Sequence, residues 1–102
     1  MADISTTELR EYLDTSKEFT LIDVREIHEH EEFNSGGSNL PICEINTWLP
    51  ELTNDKDDEI VLYCRSGNRS TMGVAFMTSY GYTNVRSLDG GMVAWQEGDQ
   101  SQ

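Results

Sequence analysis

Apolar positions along this chain fall into short blocks separated by polar turns, and the spacing within each block indicates its element. Leu9, Tyr12 and Leu13 recur at helical spacing behind Ser5-Thr6-Thr7-Glu8, which has the form of a capping box, so the pattern predicts a helix over about residues 6 to 16. Phe19 to Val24 is a nearly continuous apolar run, as expected of a strand buried on both faces of a parallel sheet. A short acidic helix is expected over Glu26 to Phe33, then a loop at Asn34 to Ser38 and a second strand over Leu40 to Ile45. Trp48, Leu49 and Leu52 suggest a short helix that Pro50 limits.

Glu59 to Tyr63 is the clearest buried strand, and it runs straight into Cys64-Arg65-Ser66-Gly67-Asn68-Arg69-Ser70. Met72, Ala75, Phe76 and Tyr80 then mark a helix that Gly81 ends. Val85 to Leu88 reads as a last strand, Asp89-Gly90-Gly91 as a turn, Met92 to Trp95 as the start of a closing helix, and Glu97 to Gln102 as a frayed polar tail. Strands and helices alternating at these intervals predict one α/β domain with its core over about residues 4 to 95. A central parallel sheet of four or five strands would carry helices on both faces.

Length and charge narrow the range of functions. A chain of 102 residues has room for one domain. With 19 acidic against 7 basic residues and a formal charge of −12, it would repel nucleic acid phosphates and anionic lipid headgroups. No apolar run is long enough to suggest a membrane span and the first residues have no signal-peptide core, so a cytoplasmic location is expected. Cys43 and Cys64 are too few for a disulfide framework and lack zinc-ligand spacing.

The chemistry concentrates at Cys64. A cysteine where a buried strand gives way to a helix lies above the carboxyl edge of the sheet, where open α/β folds bind ligands. Inward-turned backbone N–H groups and the positive end of the following helix can cradle an anion there, and the same field favours a thiolate. Arg65 and Arg69 strengthen that field and Gly67 lets the backbone bend, so the Cys64 pKa should be depressed.

CRSGNRS, from Cys64 to Ser70, resembles the six-residue Cys-x-x-x-x-Arg active loop, followed by Ser, of the rhodanese family of single-domain sulfurtransferases. Leu21 to Glu26 is similar to that family's Asp-Val-Arg-Glu strand end, Asn39-Leu40-Pro41 to its Asn-Ile-Pro segment, and Leu88 to Trp95 to its Gly-Gly and Trp pattern. The stretch Phe33 to Leu40 departs from the family by being shorter and lacking its histidine.

The resemblance implies transfer of sulfane sulfur through a Cys64 persulfide, with no metal or organic cofactor. The donor would be a small anion such as thiosulfate, a persulfide or a polysulfide, and the acceptor a thiol, a protein or, in the test tube, cyanide. Arg65 and Arg69 would take the donor's sulfonate, and the backbone from Arg65 through Ser66, Gly67 and Asn68 to Ser70 would hold the persulfide. Asp23 and Arg25 read as an ion pair supporting the loop. A sulfur carrier or protein-binding module is the alternative. A phosphatase or arsenate reductase of the same fold would carry a loop one residue longer.

Other residues have plainer readings. Cys43, in an apolar strand without basic neighbours, is expected to be structural, the alternative being that it resolves a persulfide or forms a disulfide under oxidation. His28 and His30, about 200° apart around a helix, cannot chelate one ion and read as solvated. Glu26, Glu29, Glu31 and Glu32 read as a solvent-facing stretch, Trp48 and Trp95 as anchors, and Met72 and Met77 as core.

Overall fold

A computed structural model of the chain describes residues 3–100. Its elements are α1 (Thr6–Asp14), β1 (Thr20–Asp23), α2 (Ile27–Glu32), β2 (Ser38–Asn39), α3 (Ile45–Trp48), β3 (Ile60–Tyr63), α4 (Asn68–Ser79), β4 (Val85–Ser87) and α5 (Gly91–Gln100). The four strands form one parallel sheet in the order β2-β1-β3-β4, and a parallel bridge from Ile4 to Leu88 extends its edge. No helix of the described residues is long and apolar enough to cross a membrane.

Alternation along the strands divides the core between the two faces of the sheet. Ile22, Val24, Ile60, Leu62, Cys64 and Val85 pack with Ile45, Trp48 and Leu49 of the α3 region and Met77 of α4. Leu21, Val61 and Tyr63 meet Leu9 of α1 and Met92 and Trp95 of α5 on the other face. Helices therefore cover both faces, and both tryptophans are core anchors at 9% and 7% exposure. Sequential connections run outward from β1 to β2 on one side and from β3 to β4 on the other. The carboxyl ends of β1 and β3 thus flank the switch point where such sheets open a crevice.

The helix at α1 begins where the capping box placed it, with the Glu8 N–H donating to Ser5 Oγ at 3.1 Å. The strand expected over Leu40 to Ile45 is not formed: pairing with β1 is confined to Ser38–Asn39, and Ile42–Glu44 is already a 3-10 turn leading into α3. Indole Nε1 of Trp48 donates to the Pro41 carbonyl at 2.8 Å, and the Ile42 N–H donates to the Val24 carbonyl, which folds this segment back over the sheet. Cys43 therefore lies exposed on a turn. Met72 also departs from expectation, since it points away from the sheet on α4 and is exposed. Residues 97–100 continue α5 as helix, and the end of the expected frayed tail, Ser101 and Gln102, lies outside the described residues.

Candidate active site

Cys64 is the residue immediately after β3, and Gly67 ends the loop as the N-cap of α4. Gly67 has φ +113°, a left-handed conformation that L side chains rarely adopt. That turn aims successive amides at one sulfur. Cys64 Sγ accepts the Gly67 N–H at 3.0 Å and the Ser70 N–H at 3.4 Å, and the Ser70 hydroxyl lies 3.5 Å away.

The closing helix orients the first half of the loop. The N–H groups of Met92 and Val93, in the first turn of α5, donate to the carbonyls of Cys64 and Arg65, each at 2.9 Å. A trans peptide points its N–H opposite to its carbonyl, so drawing these two carbonyls outward turns the Arg65 and Ser66 amides toward the loop interior. Gly91 permits this approach. It has φ +57°, and a Cβ there would lie 2.4 Å from the Cys64 carbonyl oxygen and 2.6 Å from that of Arg65.

Burial is the largest single influence on the Cys64 thiol and pushes its pKa up. The Ser70 hydroxyl and the Ser70, Gly67 and Ser66 amides together outweigh it, and the thiol is held below its ordinary value. The residue is only 1% exposed, so the thiol lies at the floor of the loop rather than open to water. A cleft of about 490 Å³ beside the loop is lined by Arg25, His28, Glu29, Phe33, Arg65 and others, but not by Cys64. A smaller one of about 160 Å³ is bordered by Ser66, Gly67 and Asn68.

The two arginines differ in their surroundings. Arg65 is exposed, and its guanidinium has no hydrogen-bond or ion-pair partner among the described residues. Arg69 is not free to meet a sulfonate in this arrangement: its guanidinium forks onto Glu29 of α2, with Nη1 2.7 Å from Oε1 and Nη2 3.1 Å from Oε2. This bidentate pair holds the Glu29 carboxyl down at about 2. Glu29 is therefore not part of a solvent-facing stretch but a brace on the end of the Cys64 loop. Nothing in the local pattern of α2 separates it from Glu31 and Glu32. The adjacency of β1 and β3, which brings the start of α2 beside the Cys64 loop, was the available signal.

Asp23 and Arg25 do pair, with Arg25 Nη2 2.8 Å from Asp23 Oδ2 and both residues buried. Their further bonds serve the 33–39 connection. Arg25 donates to the Phe33 carbonyl, and the Asn39 side chain donates to the carbonyls of Asp23 and Arg25. Tyr63, just before the cysteine, ties the same connection down through a 2.8 Å bond from its hydroxyl to the Gly36 carbonyl. His30 is likewise not simply solvated, because its Nδ1 lies 2.8 Å from Asp23 Oδ2, whereas His28 is exposed. Cys43 approaches Glu26, whose carboxylate pushes that thiol up. Among the described residues the one group with metal-ligand spacing is Asp55, Asp57 and Asp58, before β3 and thus at the opposite end of that strand from Cys64.

Comparison with known proteins gives a consistent picture. The chain is 38% identical over 96 residues to the putative sulfurtransferase YtwF of Bacillus subtilis, covering 92% of this chain and 89% of that one. It is 36% identical over 93 residues to the probable adenylyltransferase/sulfurtransferase MoeZ of Mycobacterium tuberculosis, where it covers 90% of this chain. It spans only 24% of MoeZ, and 50% of the putative sulfur carrier protein YrkF of Bacillus subtilis.

Among solved structures, the human single-domain sulfurtransferase TSTD1 superposes with a TM-score of 0.81 at 27% identity, covering 93% of this chain and 95% of that one. A rhodanese-like domain protein from Staphylococcus aureus gives 0.82 at 28% identity, covering 93% and 91%. The model of the rhodanese-like domain matches residues 5–98, and with the sheet order and relatives described above it establishes that the chain belongs to the rhodanese-like domain family.

Proposed function

We propose that the protein transfers sulfane sulfur through a persulfide on Cys64. The observation carrying this reading is the ring of donors on one buried sulfur: the Gly67 and Ser70 amides and the Ser70 hydroxyl, with the Ser66 amide adding to the same field. Such a ring stabilises a thiolate, and after reaction it is placed to hold the negative charge on the outer sulfur.

The Cys64 thiolate attacks the outer sulfur of the donor. A bond forms between Sγ and that sulfur, the donor's own bond to it breaks, and the electron pair leaves with sulfite from thiosulfate or with a thiolate from a persulfide. A second nucleophile, a thiol or cyanide, then attacks the outer sulfur of Cys64–S–S⁻ and returns the enzyme thiolate. Arg65, exposed and with no partner on its guanidinium among the described residues, is the cation available to an incoming anion. Arg69 contributes through its fixed position beside Glu29. Because Cys64 is buried, the loop must part or the thiol must turn outward for each transfer, which favours small donors.

Mass spectrometry after incubation with thiosulfate tests the reading. The expected result is a gain of one sulfur atom that cyanide removes and that Cys64→Ala abolishes. Uptake that survives Cys64→Ala, or no uptake from thiosulfate, a persulfide or a polysulfide, overturns it. A second reading, a carrier that loads once and unloads to a protein partner, is favoured by the likeness to YrkF. Repeated turnover of thiosulfate and cyanide by the isolated chain separates the enzyme from the carrier.

A further inference from the structure

Beneath Cys64 the structure contains a second hydroxyl. The Ser70 and Ser87 Oγ atoms are 2.6 Å apart, and both residues are buried, at 0% and 2% exposure. Ser87 ends β4, on the strand next to β3, so its side chain reaches the reactive loop from the sheet rather than from the loop itself.

We infer that Ser87 is a positioning residue for the chemistry of Cys64, acting through Ser70 as the rear half of a two-hydroxyl relay; this rests on the sulfur-transfer reading above. Hydrogen-bond counting sets the direction. Ser70 has one hydroxyl proton and three neighbours within reach: the Cys64 sulfur at 3.5 Å, the Gly67 carbonyl at 3.2 Å and Ser87 Oγ at 2.6 Å. Neither the sulfur, once ionised, nor the carbonyl can donate in return, so a Ser70 proton spent on Ser87 would leave both without it. Ser87 therefore donates to Ser70, and the Ser70 proton is left to alternate between sulfur and carbonyl.

That alternation matches the two states of the reaction. While Cys64 is a thiolate, its charge draws the Ser70 proton onto Sγ. Once Cys64 is a persulfide, Sγ is neutral and the charge lies on the outer sulfur, so the proton turns to the Gly67 carbonyl. Ser87 keeps the Ser70 oxygen fixed as its proton changes partner, and by donating to that oxygen it makes Ser70 the stronger donor.

The test measures the acidity of Cys64 from the pH dependence of its alkylation by iodoacetamide, in a Cys43→Ser background so that one thiol reports. Four chains are compared: the parent, Ser87→Ala, Ser70→Ala and the double variant. Arg65 and Arg69, Glu29 of α2 and the Asp23–Arg25 pair at the end of β1, the charged groups around the loop, are the same in all four. Ser87→Ala is expected to raise the Cys64 pKa, lowering the alkylation rate at pH values below it by roughly two- to threefold, as loss of cooperative strengthening implies. Ser70→Ala is expected to raise the pKa further, and adding Ser87→Ala to it to change nothing. Ser87→Thr, which keeps the hydroxyl, is expected to behave as the parent.

An unchanged pKa in Ser87→Ala, or an equal shift with and without Ser70, overturns the relay, because a purely structural role would not depend on the Ser70 hydroxyl. No sulfur donor enters this measurement. Failure of persulfide formation with the acidity pattern intact would count against the sulfur-transfer reading alone, and normal sulfur uptake with a flat pattern would count against the relay alone.

Discussion

Replacing Glu29 with Gln should make the protein less stable and its reactive thiol more acidic at the same time. The substitution keeps the shape of the side chain and removes its charge, so the fork from Arg69 loses its ionic partner. Held at about 2 against an ordinary 4.5, the carboxyl could contribute at most ~3.4 kcal/mol at neutral pH. Side-chain exposures of 22% for Glu29 and 32% for Arg69 admit solvent screening, which reduces this to about 1–2 kcal/mol. For a domain of this size that is about 5–12 °C in Tm.

Because the folded pKa is depressed, this contribution is complete above about 4.5 and is lost as the pH falls through about 2. The stability gap between parent and Glu29→Gln in urea should therefore be level from pH 7 to 5 and shrink below that, and the Glu29 carboxyl should titrate near 2 by NMR. Removing a negative charge near the loop leaves Arg69 unneutralised beside the thiolate, so the Cys64 pKa should fall further. A gap that widens on acidification, or a Cys64 pKa that rises in Glu29→Gln, would refute the account.

Gly91→Ala would place a Cβ 2.4 Å from the Cys64 carbonyl oxygen at φ +57°. The left-handed penalty and the loss of the two α5-to-loop hydrogen bonds should together cost about 3–4 kcal/mol in urea unfolding and raise the Cys64 pKa toward that of free cysteine; parental values for both would remove α5 from the account of the loop. The burial of Cys64 predicts that, in a Cys43→Ser background, iodoacetamide reacts faster than a bulky maleimide after correction for each reagent's rate with free cysteine, and equal corrected rates would mean that the thiol is open.

The fold was legible wherever one face of an element had to be buried. The apolar runs at β1 and β3 and the helical spacing of α1 specify elements that no polar alternative competes with. Reading failed at Leu40 to Ile45, where an apolar run looks the same whether it pairs as a strand or turns over the sheet edge. There the decision rests with the Trp48-to-Pro41 and Ile42-to-Val24 bonds, which are tertiary. The helix α4 shows the same limit: Met72, Ala75, Phe76 and Tyr80 have helical spacing, but their face is exposed and the buried face carries Ser70, Gly73 and Met77.

At the site, the position of Cys64 and the inward-facing amides follow from a strand, a glycine and a helix in sequence. Which cation remains available did not follow, because the partner of Arg69 comes from α2 through the neighbouring strand. Ser87 was likewise invisible, as a small polar residue beside Arg86 in a three-residue strand.

The reliance of the loop on α5 has a consequence for the order in which the chain acquires chemistry. Cys64 and Met92, whose N–H draws the Cys64 carbonyl outward, are 28 residues apart, so during synthesis the sulfur exists well before the groups that orient its loop. Under the proposed function, a nascent or partly unfolded molecule carries this thiol without the donors that lower its pKa. On that reading the thiol becomes a good nucleophile only once α5 has docked against the loop.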